Sequence, residues 1–451
     1  MWKRSLVLSA PGKVILHGEH AVVHGKVALA TALDLRTFLR MTPRQDGKIS
    51  LQLPNLGSQL SWEAAELRPL LAAFSVELPE AQPPSAEQVE KLKEFAGGDY
   101  GHEAVQSVAA AAFLYLYLSV ASKYGVLPTV DILVWSELPT GAGLGSSAAY
   151  SVCLAGALLF GCGAISYPLQ EGQETARWTK EELDVINRLA FRGEQVIHGN
   201  PSGVDNAVST WGGALRYISG QISVLKSVPT LRILLTNTKV PRSTKILVAG
   251  VKAKLLEFPT IMEPMLATID AISRECEGIL EAMTKDPSQE HYSRLEDLVD
   301  INQHLLNGIG VGHALLDRVC QVTSSHGLHS KLTGAGGGGC AITLLRPGRA
   351  TWLQRRERAR LFPGLLPRPA THTQGEFGPF LSLPGAQSDA GGGSSALDCC
   401  PSLPGDTQGA VALKHPCSRE GGGCWRVQKW FLWMKARVEV EGGNSSGCQR
   451  S

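Results

Sequence analysis

Hydrophobic positions in the first part of the chain fall in short runs broken by glycine. Leu6-Val7-Leu8, Val14-Ile15-Leu16, Val27-Ala28-Leu29 and the segment 49–53 have the length and side-chain character of strands, and glycine-bearing turns divide them. A proline-bearing passage at 80–85 reads as a loop. The period then lengthens. Segments 86–95 and 103–122 are helical, the second apolar on every side and therefore expected at the centre of the fold. Its apolar stretch, 108–121, falls short of the roughly 20 residues that a membrane-spanning helix needs. Segment 130–135 is the continuous apolar run of a buried strand, and it leads through a glycine-rich turn into a helix at 146–160.

Thr179, with Glu182 three residues on, is a capping box that opens a helix reaching about His198, where Gly199-Asn200-Pro201 stops it. Beyond Ser223 the pattern restarts with a strand at 231–235, long helices between 243 and 325, and a short strand at 331–333. After Arg346 glycine, proline and serine dominate and no apolar period persists, so most of this tail is expected to lack fixed structure. Segment 352–361 has the make-up of a short basic helix. Segment 425–440, with Trp430, Phe431 and Trp433, is aromatic and basic like a membrane-surface helix, but a sticky unstructured stretch is the plainer reading. Three units are expected: 1–228, 229–346 and the tail 347–451.

A chain of 451 residues agrees with two or three domains. Its 43 basic and 41 acidic residues leave a net charge of +2, too balanced for a nucleic-acid partner. Lys3 and Arg4 precede an apolar run too short for a secretory leader, and Gln449-Arg450-Ser451 is no peroxisomal address, so the expected location is the cytoplasm, with no membrane span. Cys153, Cys162, Cys276, Cys320 and Cys340 are scattered as reduced thiols are. Cys399, Cys400, Cys417, Cys424 and Cys448 crowd the tail at spacings that match no usual zinc pattern.

The chemistry centres on Glu137-Leu-Pro-Thr-Gly141-Ala142-Gly143-Leu144-Gly145-Ser146-Ser147. Small residues let the backbone approach a ligand, and the helix that follows offers unpaired N–H groups and the positive end of its dipole. That suits a di- or triphosphate. The run lacks the Gly-Lys-Ser/Thr of a Walker A loop, only half fits a dinucleotide fingerprint, and has no protein-kinase HRD or DFG companion in the chain. A helix merely starting after a tight turn explains one or two glycines, not the whole run.

Two further segments complement it. Ser9-Ala-Pro-Gly-Lys13-Val-Ile-Leu-His-Gly-Glu19-His20 places a lysine on a strand after a tight turn. Glu194 and Asp205, in Phe191-Arg-Gly-Glu194 and Asn200-Pro-Ser-Gly-Val-Asp205, bring two carboxylates around a helix end. Taken alone, a Lys–Asp pair is usually a salt bridge, Glu194 a solvated helix charge, and Ser243 with Thr244 a helix cap. His20 and His24 are four apart, but Gly18 and Gly25 make a metal-binding helix there unconvincing. A third glycine cluster, Thr333-Gly334-Ala335-Gly336-Gly-Gly-Gly339, forms a flexible loop able to approach a ligand.

These three motifs, in this order, resemble the GHMP kinase family, from about Leu6 to about Arg346. Within it, Pro11-Gly-Lys-Val-Ile-Leu-His-Gly-Glu-His-Ala-Val-Val-His-Gly25 and the segment from His198 to Gly213 resemble the animal members that phosphorylate mevalonate on its C5 hydroxyl. The resemblance implies an α/β (α+β) fold of two domains, the first mixed α/β and the second ferredoxin-like, with ATP and Mg²⁺ as cofactors and often a homodimer. It implies Asp205 as base and Lys13 beside it. Nucleotide contacts fall to Lys13, Asn55, Ser136 and the loop Gly141, Ala142, Gly143, Leu144, Gly145, Ser146 and Ser147. Substrate contacts fall to Glu19, His20, Thr244, Gly334, Ala335 and Gly336, and Mg²⁺ ligands to Ser147 and Glu194.

The chain departs from the family after the strand at 341–345, where members continue with a helix and at least one more strand. The tail here bears no resemblance to them. A missing strand leaves an open sheet edge and a missing helix leaves apolar surface bare. An impaired or inactive isoform, or a GHMP kinase for another small alcohol, therefore stands as the alternative expectation.

Overall fold

In the computed structural model the residues described are 5–74, 84–97, 104–168, 175–225, 228–347 and 411–413. The apolar runs at 6–8 and 14–16 lie on one strand, β1 (Leu6–His17), not two. Pro11 has no backbone N–H to give to a ladder, and the register with β2 (Ala28–Pro43) shifts between Pro11 and Lys13. Gly12 is required at that bulge. A Cβ there would lie 2.4 Å from Leu138 Cδ2 and 2.7 Å from the Leu144 carbonyl oxygen. The glycine-rich loop therefore docks directly on β1.

The chain continues through β3 (Lys48–Leu53), β4 (Ser58–Glu63), a single-turn α1 (Ala64–Leu67), α2 (Ala86–Ala96), α3 (Val105–Tyr124) and β5 (Val130–Ser136). Then follow α4 (Ser146–Gly161), β6 (Thr175–Arg177), α5 (Lys180–His198), α6 (Val204–Trp211), β7 (Ala214–Ile218) and β8 (Gln221–Val224). Among the described residues these strands form one sheet in the order β4-β3-β5-β2-β1, with β7 paired to β2 and β8 paired to β7; β3 and β5 are its parallel pair. The Thr179 capping box is present, and Gly199 ends α5 as expected.

α3 begins and ends two residues later than the expected 103–122. At 20 residues it is long and apolar enough to cross a membrane, but 78% of that apolar window is buried inside the protein. It packs against α2, α4 and α5, while α4 lies on β1 and β2, so both are core helices.

A second sheet begins with β9 (Arg232–Asn237). Helices α7 (Thr244–Glu257), α8 (Pro259–Lys285), α9 (Gln289–Gly308) and α10 (Ala314–Ser324) precede β10 (His329–Leu332) and β11 (Cys340–Leu345). The order is β10-β11-β9, all antiparallel, with Val251, Leu266, Ile269, Leu306, Leu316 and Leu332 in its core. Ala21, from the turn after β1, is buried in that same core. Arg346 clamps the end of β11 to α9 through both oxygens of Glu296 and through Ser293 Oγ at 3.0 Å.

One stretch of the tail departs from the expectation of no fixed structure. β12 (Val411–Leu413) lies antiparallel between β1 and β6, pairing with Val7–Ser9 on one side and Thr175–Arg177 on the other. Backbone groups on the outer edge of β1 need partners whatever the partner's composition, and three residues are too few to leave a periodic signal. The helical readings at 352–361 and 425–440 and the five tail cysteines lie outside the described residues.

Candidate active site

The glycine-rich loop turns because Gly141, Gly143 and Gly145 take φ of 72°, 78° and 74°, a region costly to any side chain. Gly145 is the N-cap of α4, so the chain arrives at a helix N-terminus with Ser146 and Ser147 in the first turn. The Lys13 backbone N–H donates to the Leu144 carbonyl at 2.8 Å, fixing the loop to the β1 bulge. A Cβ on Gly145 would lie 3.0 Å from Lys13 Cγ, so the lysine stem runs across the loop.

Lys13 Nζ lies 3.1 Å from Asp205 Oδ1. Asp205 stands in the first turn of α6, and its carboxylate is one-third exposed (34%) while Lys13 is buried, so the pair opens to solvent on the aspartate side. Beside it, Ser147 Oγ donates to Glu194 Oε2 at 3.3 Å and lies 3.0 Å from His198 Nε2. Glu194 is only 2% exposed, and its Oε1 has no hydrogen-bond partner. Burial first, and then the Asp205 charge, push its carboxyl up to about 8. A buried carboxylate oxygen left without a donor, facing a serine hydroxyl at a helix N-terminus, fits a hard divalent cation.

The outer residues divide. Asn55 Nδ2 donates to the Ser136 carbonyl at 3.0 Å, and the Ser136 N–H donates to Asn55 Oδ1 at 2.8 Å, placing both at the end of β5 just before the loop. His20 has φ 60°, rare without a glycine, and its Nε2 lies 2.8 Å from the Ala335 carbonyl oxygen. Burial lowers its pKa, and its buried Nδ1 has no partner. Thr244 is exposed at the start of α7, where Ser243 accepts the Ile246 N–H at 3.4 Å as the cap. Glu19 is turned inward. Its side chain is fully buried, with Lys331 on Oε1 and Asn302 Nδ2 at 3.2 Å from Oε2.

Sequence reasoning passed over two groups here. Arg242 Nη2 donates to the Ala142 carbonyl at 3.3 Å, while its buried Nη1 is unpartnered. The same guanidinium lies 3.5 Å from where a Cβ on Gly334 would stand, so it joins the first glycine loop to the third. Burial lowers its pKa. Its only signal was a basic residue just before a helix-capping serine. His198, on the last turn of α5, sat inside a quoted motif without a part to play.

Residues 107–213 match the family described as GHMP kinases N terminal domain, and residues 279–357 match GHMP kinases C terminal. The fold is similar to that of the solved Methanococcus jannaschii mevalonate kinase, with a TM-score of 0.57 and 23% identity over 78% of this chain and 95% of that one. It is also similar to L. major mevalonate kinase in complex with R-mevalonate, with a TM-score of 0.54 and 22% identity over 77% and 91%. Fold, glycine loop and carboxylates together define a GHMP-type phosphotransferase. Among curated proteins, the mevalonate kinase of Homo sapiens is 62% identical over 348 residues, which is 77% of this chain and 88% of that one. That of Arabidopsis thaliana is 38% identical over 349 residues, covering 75% and 90%. The chain belongs to the mevalonate kinase family of GHMP kinases.

Proposed function

We propose that the protein transfers the γ-phosphoryl group of ATP to the C5 hydroxyl of mevalonate, giving 5-phosphomevalonate and ADP. The observation that carries this reading is the 3.1 Å Lys13–Asp205 pair set beside the unpartnered Glu194 oxygen at the mouth of the glycine loop. Asp205 accepts the hydroxyl proton as the oxygen attacks the γ-phosphorus and the bond to ADP breaks. Lys13, 3.1 Å from the aspartate, stabilises charge gathering on the reacting oxygens. The loop 141–147 holds the phosphates at the α4 N-terminus, with Asn55 and Ser136 toward the nucleotide. Ser147 and Glu194 hold Mg²⁺, which supplies neutralisation of phosphate charge. His20, Thr244 and the loop from Gly334 to Gly336 belong to the substrate side, and Arg242 spans the two glycine loops.

The same reading assigns 1–228 and 229–346 to the two domains of the fold, the second short of the family's last elements, and places the protein in the cytoplasm. A homodimer accords with the exposed apolar side chains Ile246, Leu256, Phe258 and Ile261 along α7 and the start of α8.

The test is release of ADP by the full chain with mevalonate and Mg-ATP. Asp205→Ala should lower turnover by ~10²–10⁴, the range for a lost general base, with much less change in substrate affinity. Near-full activity in that variant removes Asp205 from the role. Folded, soluble wild-type protein without turnover would favour the inactive-isoform reading.

A further inference from the structure

The first motif does more than carry Lys13. From Ile15 to Val27 it is bonded repeatedly to the C-terminal part of the chain. Thr333 Oγ1 accepts the Ile15 N–H at 3.0 Å and donates to the Ile15 carbonyl at 2.9 Å. His20 reaches Ala335, and the Val27 N–H donates to Asp270 Oδ1 at 2.6 Å. At the middle of this seam lies a cluster with no access to solvent. Lys331 donates to Glu19 Oε1 and, at 2.8 Å, to the Leu332 carbonyl. Asn302 Nδ2 lies 3.1 Å from His17 Nδ1 and 3.2 Å from Glu19 Oε2.

The cluster fixes its own orientation. Asn302 can serve Glu19 only with its amide nitrogen, since its oxygen would face a carboxylate. The same nitrogen then donates to His17 Nδ1, which leaves the His17 proton on Nε2. Burial, and after it the Lys331 charge, hold the His17 pKa well below its ordinary value, in keeping with an accepting, neutral ring. Both Glu19 oxygens are occupied and the side chain is fully buried, so no face of it is open to a ligand. Lys331 is two residues from Thr333 and four from Ala335, while Glu19 adjoins His20. Whatever fixes Lys331 against Glu19 therefore fixes the third glycine loop against the His20 turn.

Resting on the mevalonate reading, we propose that Glu19 is a buried anchor between β1 and β10, not a substrate ligand, and that Lys331 and Asn302 are positioning residues acting through it on the mevalonate side of the site. Removing one partner of a buried pair strands the other's charge, whereas removing both can be nearly neutral. That asymmetry separates an anchor from a ligand.

The experiment compares Glu19→Gln, Lys331→Met and the double variant by thermal melting and by steady-state kinetics on both substrates. Lys331→Met should raise the KM for mevalonate about tenfold or more while the KM for ATP stays within about twofold, a split that general loosening of the fold would not produce. Adding Glu19→Gln to Lys331→Met should raise the melting temperature again and bring the mevalonate KM back toward wild type. If Glu19→Gln instead raises the mevalonate KM by the same factor in both backgrounds, the carboxylate touches substrate and the anchor is overturned. If the wild type does not use mevalonate, the functional reading fails by itself, and the melting data still decide the anchor. Should Lys331→Met fail to fold while the double variant folds, the anchor is supported. Should both fail, Asn302→Leu decides: a raised mevalonate KM supports the proposal, and unchanged kinetics overturn it.

Discussion

Gly143 and Gly141 sit two residues apart in the same loop, at nearly the same φ, 78° and 72°. Alanine at either position pays the left-handed backbone penalty of ~1–2 kcal/mol. Their surroundings differ. A Cβ on Gly141 meets nothing within 4 Å, whereas one on Gly143 would lie 1.5 Å from Arg242 Nη2. The clash is with the tip of a flexible side chain, so it is relieved by moving the guanidinium, not by breaking the fold. Both variants should lose similar stability, no more than a few degrees in melting temperature. Only Gly143→Ala should displace Arg242 from Ala142 and from the space above Gly334. Losing one positioned donor in an active site costs about 10²–10³ in turnover, or ~2.7–4 kcal/mol. Backbone strain alone, even if expressed wholly in the loop, accounts for about tenfold. The assay is kcat and KM for both substrates beside a melting curve. Arg242→Ala introduced into Gly143→Ala should add little further loss, because the guanidinium has already been removed from its place. Equal activity losses in the two alanine variants, or additive loss in the double variant, would refute the role of Arg242 in joining the loops.

Two pH predictions follow from the buried groups. In metal-free protein the Glu194 carboxyl, pushed up to about 8 from an ordinary 4.5, keeps a proton in the fold that the unfolded chain releases. Folding therefore binds a proton, and this contribution to stability falls as pH rises from about 4.5 to 8. Glu194→Gln should flatten that slope and abolish the rise in melting temperature that Mg²⁺ gives the ATP-bound protein; a retained Mg²⁺ shift would take Glu194 out of the metal site. His17 runs the other way. Its folded pKa is lowered, so below its ordinary 6.5 only the unfolded chain takes the proton and stability falls with pH. The slope is ~1.4 kcal/mol per pH unit for one proton. His17→Gln should remove about one proton's worth of this acid sensitivity, read as the difference from wild type in denaturant melts between about pH 6.5 and 5.5. An unchanged slope would mean that the buried ring is not held neutral.

Local chemistry made much of the fold legible. α5 was readable at both ends because Thr179, Glu182 and Gly199 act within a few residues of each other. α4 and β5 were readable because a continuous apolar run needs burial wherever it occurs. What escaped was decided at long range. β4, β6, β7 and β8 are short or partly polar, and each owes its place to a ladder partner elsewhere in the chain. β12 is the extreme case, three residues held by edges of β1 and β6 hundreds of positions away.

The site divides along the same line. Loop residues 141–147 announce themselves, because backbone geometry and helix N-termini are local properties. Arg242 does not, since a lone arginine in a linker acquires meaning only when two glycine loops close on it. Glu19 differs again. It sits in the first motif two residues past His17 and next to His20, and the fold turns its carboxylate away from solvent and onto Lys331, a contact that no local pattern announces. The motif is dense because two demands fall on one strand and its turn. Lys13 and the bulge at Pro11 face the glycine loop, while His17, Glu19 and Ala21 face the second sheet and its helices. Chemistry and assembly thus share a stretch of about ten residues. On the proposed reading, a substitution there should act on the phosphate side or on the mevalonate side according to which face it touches, and the kinetic split between the two substrates is the observable that tells them apart.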